Sequence, residues 1–251
     1  MNTQSSLIDQ CLFGYEDGHR LLASSLQLGE ELSDLTELSD LASGVVFWGS
    51  EGYWTGVPAP KIGRYALMRT WPAPEMSRPG CVWTHVLLLE PTVLDNVSDL
   101  SMLVRLFNRP MGLQEVSRYR EPLIFDSYGV CPSLSRPPAA SRVLRDLLTV
   151  LYGPGRGKVS VFAPEDADVS VFALWSQQWP RLRRNFRFQT AVTRDHRPPS
   201  ASRFDIYLQL EDSSNSPPPP LLIDWVEAAV DDVERGPEGF LRSFLWRYGA
   251  E

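Results

Sequence analysis

The sequence predicts an α+β protein in two parts, each a mixed sheet-and-helix unit, joined by a Pro-rich linker. Three observations lead there. Strand-like and helix-like periodicities are interspersed along the whole 251 residues. Hydrophobic residues make up 43%, with eight Trp, eight Tyr and eleven Phe, enough to fill a substantial core. Between the two patterned regions, Pro132–Ser141 carries Pro132, Pro137 and Pro138 with little apolar content, as a surface linker does. The expected units are residues 1–134 and 140–251.

Taken in order, Arg20–Leu26 reads as the first strong strand, entered through the turn-like Gly14-Tyr15-Glu16-Asp17-Gly18. Glu30–Leu41 places Leu32, Leu35, Leu38 and Leu41 on one helical face. Tyr65–Trp71 and Val82–Leu89 read as strands bridged by Pro72–Gly80. Leu100, Leu103, Val104 and Phe107 have helical spacing, with Ser98 or Asp99 as cap. Beyond the linker, Val143, Leu144, Leu147, Leu148 and Leu151 share a helical face, Val159 and Val161 alternate, and Ser170–Trp179 is helical up to Pro180. Phe186–Val192 and Phe204–Leu210 alternate as half-buried strands. Asp212–Pro220 is a stiff polar spacer. A last helix follows Leu221 and breaks at Gly236-Pro237. Phe240–Tyr248 is apolar and uncapped, which suggests a chain cut from a longer protein, the second unit being truncated at its C-terminal end.

Composition excludes several classes. The longest apolar runs fall far short of the roughly 20 residues a bilayer span needs. No basic-then-apolar leader precedes Asp9, so a cytoplasmic location is expected. Cys11, Cys81 and Cys131 form no CxxC pair, which points to reduced, buried thiols and to no metal site. A net charge of −7 argues against a dedicated nucleic-acid binder. Gly153–Val159 invites a phosphate-loop reading but fails it. No Ser or Thr follows Lys158, the first Gly is misplaced, and a helix precedes it where a strand should stand. No cofactor is expected.

Two segments bear histidine. Gly14–His19 has two glycines within five residues, as tight turns or close backbone approach require, and presents Asp17 and His19 at a strand entrance. The plainer reading is a β-turn whose Asp bonds its own backbone. In the second, Cys81, Trp83 and His85 share a strand face opposite Thr84 and Val86. Cys81 and His85 lie about 13 Å apart along such a strand, too far for a dyad. His19 and His85 from two strands would suit phosphodiester hydrolysis, with Asp17 orienting one of them. Against this, Leu21 and Leu87 stand where two-His phosphoesterases carry Ser or Thr. Arg181, Arg183, Arg184 and Arg187 form a basic cluster flanked by aromatics, able to hold a phosphate or nucleic acid, to bind an acidic partner surface, or to form ion pairs within this acidic protein.

Together these segments resemble a known family. Phe13-Gly14-Tyr15, Gly18 through Ser25, Thr70-Trp71-Pro72-Ala73-Pro74 and Arg78-Pro79-Gly80 through His85 are similar to the N-terminal domain of bacterial GTPase-associated proteins of conflict systems. Leu174 through Arg184, with Phe186 through Thr190, resembles the middle domain of the same proteins. The resemblance implies a recognition component working beside a separate GTPase in antiviral defence, and it carries no catalytic residues with it. The leading expectation is therefore a non-enzymatic adaptor making protein–protein contacts. Its anchors would be Tyr15, Trp54, Trp71, Trp83, Arg78, Arg181, Arg183, Arg184 and Arg187, since Trp, Tyr and Arg dominate interface energetics. A hydrolase using His19 and His85, and a nucleic-acid sensor using Arg181–Arg187, are the alternatives.

Overall fold

The computed structural model describes residues 5–45, 47, 52–76, 78–126, 138–153, 159–161, 164–193, 203–206, 208–210 and 224–248. Its main element is an antiparallel sheet of seven strands. Strands β1 (Ser5–Tyr15), β2 (His19–Ser24), β3 (Tyr53–Ala59), β4 (Arg64–Pro72), β5 (Val82–Leu89), β6 (Leu123–Asp126) and β8 (Phe188–Gln189) run in the order β2-β1-β5-β4-β3-β8, with β6 also on β1. Three further strands, β7 (Val159–Val161), β9 (Val192–Thr193) and β10 (Leu208–Leu210), make a small parallel sheet in the order β7-β10-β9. The helices are α1 (Leu32–Ser39), α2 (Pro91–Asn96), α3 (Pro138–Tyr152), α4 (Pro164–Gln177), α5 (Pro180–Asn185), α6 (Asp224–Arg235) and α7 (Phe240–Tyr248). This is the α+β class expected.

Both faces of the large sheet are covered, which explains why Val86–Leu89 is a continuous apolar run. On β4 and β5, Tyr65, Leu67, Leu87 and Leu89 point into one core, while Ala66, Met68, Val86 and Leu88 point into the other. The first core is filled by α3, α4 and α6 through Leu144, Leu147, Trp175 and Val230. The second is covered by Leu28 and by Leu35 of α1.

The two parts of the sequence share one of these cores. Strand β8, from the second part, pairs with β3 through Thr55 and Gly56. Gly56 has no side chain because one would meet the Phe188 ring at 2.3 Å. Tyr65 donates its hydroxyl proton to the Phe186 carbonyl at 2.7 Å, and Trp54 and Thr190 exchange hydrogen bonds at 2.9 and 2.8 Å. Cys131, residues 132–137 of the expected linker and all of 212–220 lie outside the described residues.

Some elements differ from expectation. The chain enters the sheet with β1, before Arg20. Leu100–Leu106 is a 3-10 segment whose cap is Asp99, its carboxylate accepting from the Ser101 amide at 2.9 Å. The alternating Phe186–Val192 run is divided between the two sheets, with Thr190 and Ala191 between β8 and β9. The break at Gly236-Pro237 is present, with Gly236 at φ 59° between α6 and α7. No helix among the described residues is long and apolar enough to cross a membrane.

Candidate functional site

The β1–β2 hairpin uses its two glycines differently. Gly18 sits at φ 124° in the turn, beside Asp17 at φ 55°, a conformation Asp tolerates better than most residues. Gly14 instead makes room: a Cβ there would stand 2.6 Å from the Trp83 ring. Trp83, on β5, thus packs against the hairpin at Gly14 and is fully buried.

Around Trp83 a set of contacts fixes the 73–81 loop. Its indole N–H donates to Glu75 Oε1 at 2.7 Å, and Arg109 Nη2 grips both Glu75 oxygens at 2.8 and 2.6 Å. Burial pushes the Glu75 carboxyl up, but hydrogen bonds from its own amide, Trp83 and Arg109 outweigh this and hold it below its usual range. Arg109 also donates to the Pro72 carbonyl at 2.9 Å, and the Ala73 amide closes the loop onto the Cys81 carbonyl at 3.0 Å.

On this base sits a half-exposed surface. Arg78 Nη1 donates to the Tyr15 hydroxyl at 2.7 Å, with its guanidinium 5.7 Å from the ring centre. Tyr15, Leu22, Trp71 and Met76 each pack, partly buried, against the buried cluster that holds Trp83. The surface therefore combines aromatic area, a flexible thioether and a permanent cation, held by a rigid strand and loop framework.

The histidines do not converge. Consecutive residues of β5 point to opposite faces, and Thr84 and His85 mark the two sides. Thr84 bonds the Ser39 carbonyl at 2.6 Å, and Ser39 Oγ lies 2.8 Å from His19 Nε2, so His19 belongs to the α1 side. His85 is wholly buried on the other side, between Phe107 and Tyr119 rings at 5.1 and 4.8 Å. Its Nδ1 accepts from the Asn108 amide at 3.3 Å, which assigns the proton to Nε2, facing Gln10 Oε1 at 2.8 Å. Gln10 passes the link on to the Arg118 and Glu121 carbonyls at 3.1 and 2.7 Å. Burial drives the His85 pKa down to about 3, so it is neutral and structural.

Ser39, His19 and Asp40 superficially form a nucleophile triad, with His19 Nδ1 3.8 Å from Asp40 Oδ1. Ser39 is fully buried, however, and its hydroxyl lies 2.9 Å from the Thr36 carbonyl within α1. Donating there, Ser39 accepts the His19 Nε2 proton, the reverse of nucleophile activation. Burial lowers the His19 pKa, with Asp40 opposing. The trio ties the hairpin to the end of α1. Asp17 stays exposed in the turn.

Several expected anchors turn inward. Trp54 is buried, with Phe107 and Phe172 edge-on at 4.7 and 5.1 Å and Arg69 over its face at 4.5 Å. Trp83 serves the framework. Arg183 is fully buried: Nη1 donates to the Leu94 and Val97 carbonyls at 2.6 and 2.7 Å, and Nη2 to Ser176 O. It satisfies carbonyls at the ends of α2 and α4, which have no partners within their own helices. Burial, then Arg242, push its pKa down to about 9. Arg184 is exposed but forks onto Asp95, at 3.0 Å from Nε. Arg181 and Arg187 are exposed, the Arg187 amide being fixed by Asp205 at 2.7 Å. The four arginines thus present no common basic face. Sequence reading missed Glu75 and Arg109; a carboxylate in the Pro-rich loop before Trp83 was the available signal.

Fold and surface together define an α+β chain with an aromatic–arginine pair set between the end of β1 and the loop before β5. Residues 7–107 match the family described as GTPase-associated protein 1, N-terminal domain type 1, which supports placing this segment among GTPase-associated domains. That span carries Tyr15, Trp71, Glu75, Arg78 and Trp83. No curated protein and no solved structure matches the chain.

Proposed function

We propose that the chain is an adaptor that docks a GTPase, or another protein of the same bacterial defence system, through the Tyr15–Arg78–Trp71 surface. The observation that carries this reading is the exposed Arg78–Tyr15 contact, with Trp71 half-buried against the same Trp83-centred cluster as Tyr15, all within the matched region. Aromatic and Arg side chains on a rigid base suit an interface, because little side-chain freedom is lost on binding. The residues around the patch are engaged in holding one another, and His85 is sealed in the core. In this reading residues 140–251 act as the middle domain, bracing the sheet from one face, and the nucleotide chemistry resides in the partner.

The test is co-purification of the intact protein with the products of genes flanking its own, with and without GTP. Retention of a GTPase by the wild type, and its loss in the double variant Tyr15→Ala/Arg78→Ala, is the expected result. Equal retention by both proteins overturns the assignment of the surface.

A further inference from the structure

Helix α7 is seated the wrong way round for an ordinary amphipathic helix. It packs onto the protein through Arg242, buried and donating to the Ser98 carbonyl at 2.5 Å, and through half-buried Trp246. The Trp246 ring takes the guanidinium groups of Arg183 and Arg242 at 4.5 and 5.4 Å. At 100° per residue, Phe240, Leu241, Phe244, Leu245 and Tyr248 then fall within an arc of about 140° on another side. That side faces outward: Phe240 is 81% exposed, Phe244 51% and Tyr248 63%. An apolar groove of about 630 Å³ runs along this side, walled by Leu148, Tyr152, Trp225 and Ala228 across from Phe240, Leu241 and Leu245 of α7 itself.

We propose that this surface is the interface of a two-fold homodimer, in which the Phe240–Phe244–Tyr248 ridge of each copy lies in the groove of the other. Three features favour a second copy of this chain as the occupant. Ridge and groove adjoin on one surface, so a two-fold axis between them makes the patch complementary to itself. Asp231 and Arg235, one turn apart on α6 and both at the groove, are exposed and opposite in charge. An antiparallel α6 pair sets Asp231 against the partner subunit's Arg235 twice over. The area also suffices. Taking about 200 Å² for a fully exposed aromatic, Tyr152, Trp225, Phe240, Phe244 and Tyr248 together expose roughly 600 Å². That is at the top of what a monomer leaves bare, and two copies would bury about 1,200 Å², where specific interfaces begin. The inference does not depend on the GTPase reading, since no residue of the surface lies within 7–107.

Sedimentation equilibrium of the intact protein, from about 1 to 100 µM, tests it. A reversible dimer is expected, with Phe244→Glu monomeric throughout at unchanged far-UV circular dichroism. Asp231→Arg and Arg235→Asp should each weaken the dimer about tenfold, and the double reversal should restore it to within about threefold. A wild type that stays monomeric at 100 µM overturns the proposal. So does a dimer indifferent to Phe244→Glu, or a double reversal as weak as the single ones, which would leave the face to a different protein.

Discussion

His85 provides the sharpest check on whether the sheet interior is as described. In the folded protein burial sets its pKa at about 3, against an ordinary value of 6.5. A lowered His pKa means that between these values the unfolded chain binds a proton the folded one refuses. Stability from this group is therefore complete above pH 6.5 and is lost as pH falls toward 3. With 1.36 kcal/mol per pH unit, the loss between pH 7.5 and 5.0 is about 2 kcal/mol, and the full window amounts to about 5 kcal/mol. His19 shifts in the same sense, so the wild type alone does not isolate His85. The comparison is urea unfolding of wild type and His85→Gln at both pH values. At pH 7.5 the variant should be less stable by about 1–3 kcal/mol, from lost ring contacts with Phe107 and Tyr119. At pH 5.0 that gap should have closed by about 2 kcal/mol, because the glutamine amide takes up no proton. Parallel losses in the two proteins would refute a buried, neutral His85 and reopen a role in proton transfer.

Other variants probe the framework. Gly14→Ala places a methyl against Trp83, which Glu75 pins, so a cost of about 1–3 kcal/mol and a melting temperature lower by about 3–10 °C are expected in calorimetry. Arg183→Met leaves three buried carbonyls without their donor, partly offset because no charge is then buried, and should cost about 2–4 kcal/mol in urea titration. Arg184→Met breaks only an exposed fork with Asp95 and should cost at most about 1 kcal/mol in the same assay.

How much could be read from the chain depended on how local the physics was. Tyr65–Trp71, Val82–Leu89 and the Val143–Leu151 helix face declare themselves by apolar spacing alone. The turn ending at Gly18 and the break at Gly236-Pro237 declare themselves by residues with special backbone freedom. Strand β1 was hidden because polar Asp9 and Gln10 interrupt it and a bulge between Leu12 and Phe13 shifts the register against β2. Strand β3 was hidden because it contains Gly56 and Pro58, both poor strand formers. The reason for Gly56 is Phe188, far along the chain in the second part. Spacing of three to four residues fits a 3-10 segment as well as an α-helix, which explains Leu100–Leu106.

The site followed the same rule. Tyr15 and Arg78 were picked out as anchors and are in contact, with Trp71 half-buried against the same cluster as Tyr15. Arg183 and Trp83 were picked out too, but nothing near them in sequence reveals that they are enclosed. What buries Arg183 is a pair of carbonyls at the end of α2, in the first part of the chain. What holds His85 is Gln10, from the strand that opens the sheet.

The central claim is that the Tyr15–Arg78–Trp71 surface binds a GTPase partner. Its most direct measurement is the affinity of that partner, by calorimetry, for wild type and for Tyr15→Ala/Arg78→Ala with identical melting curves. A weakening of about 30-fold or more is expected, corresponding to at least about 2 kcal/mol from the anchors of the patch. An affinity unchanged within twofold would contradict it.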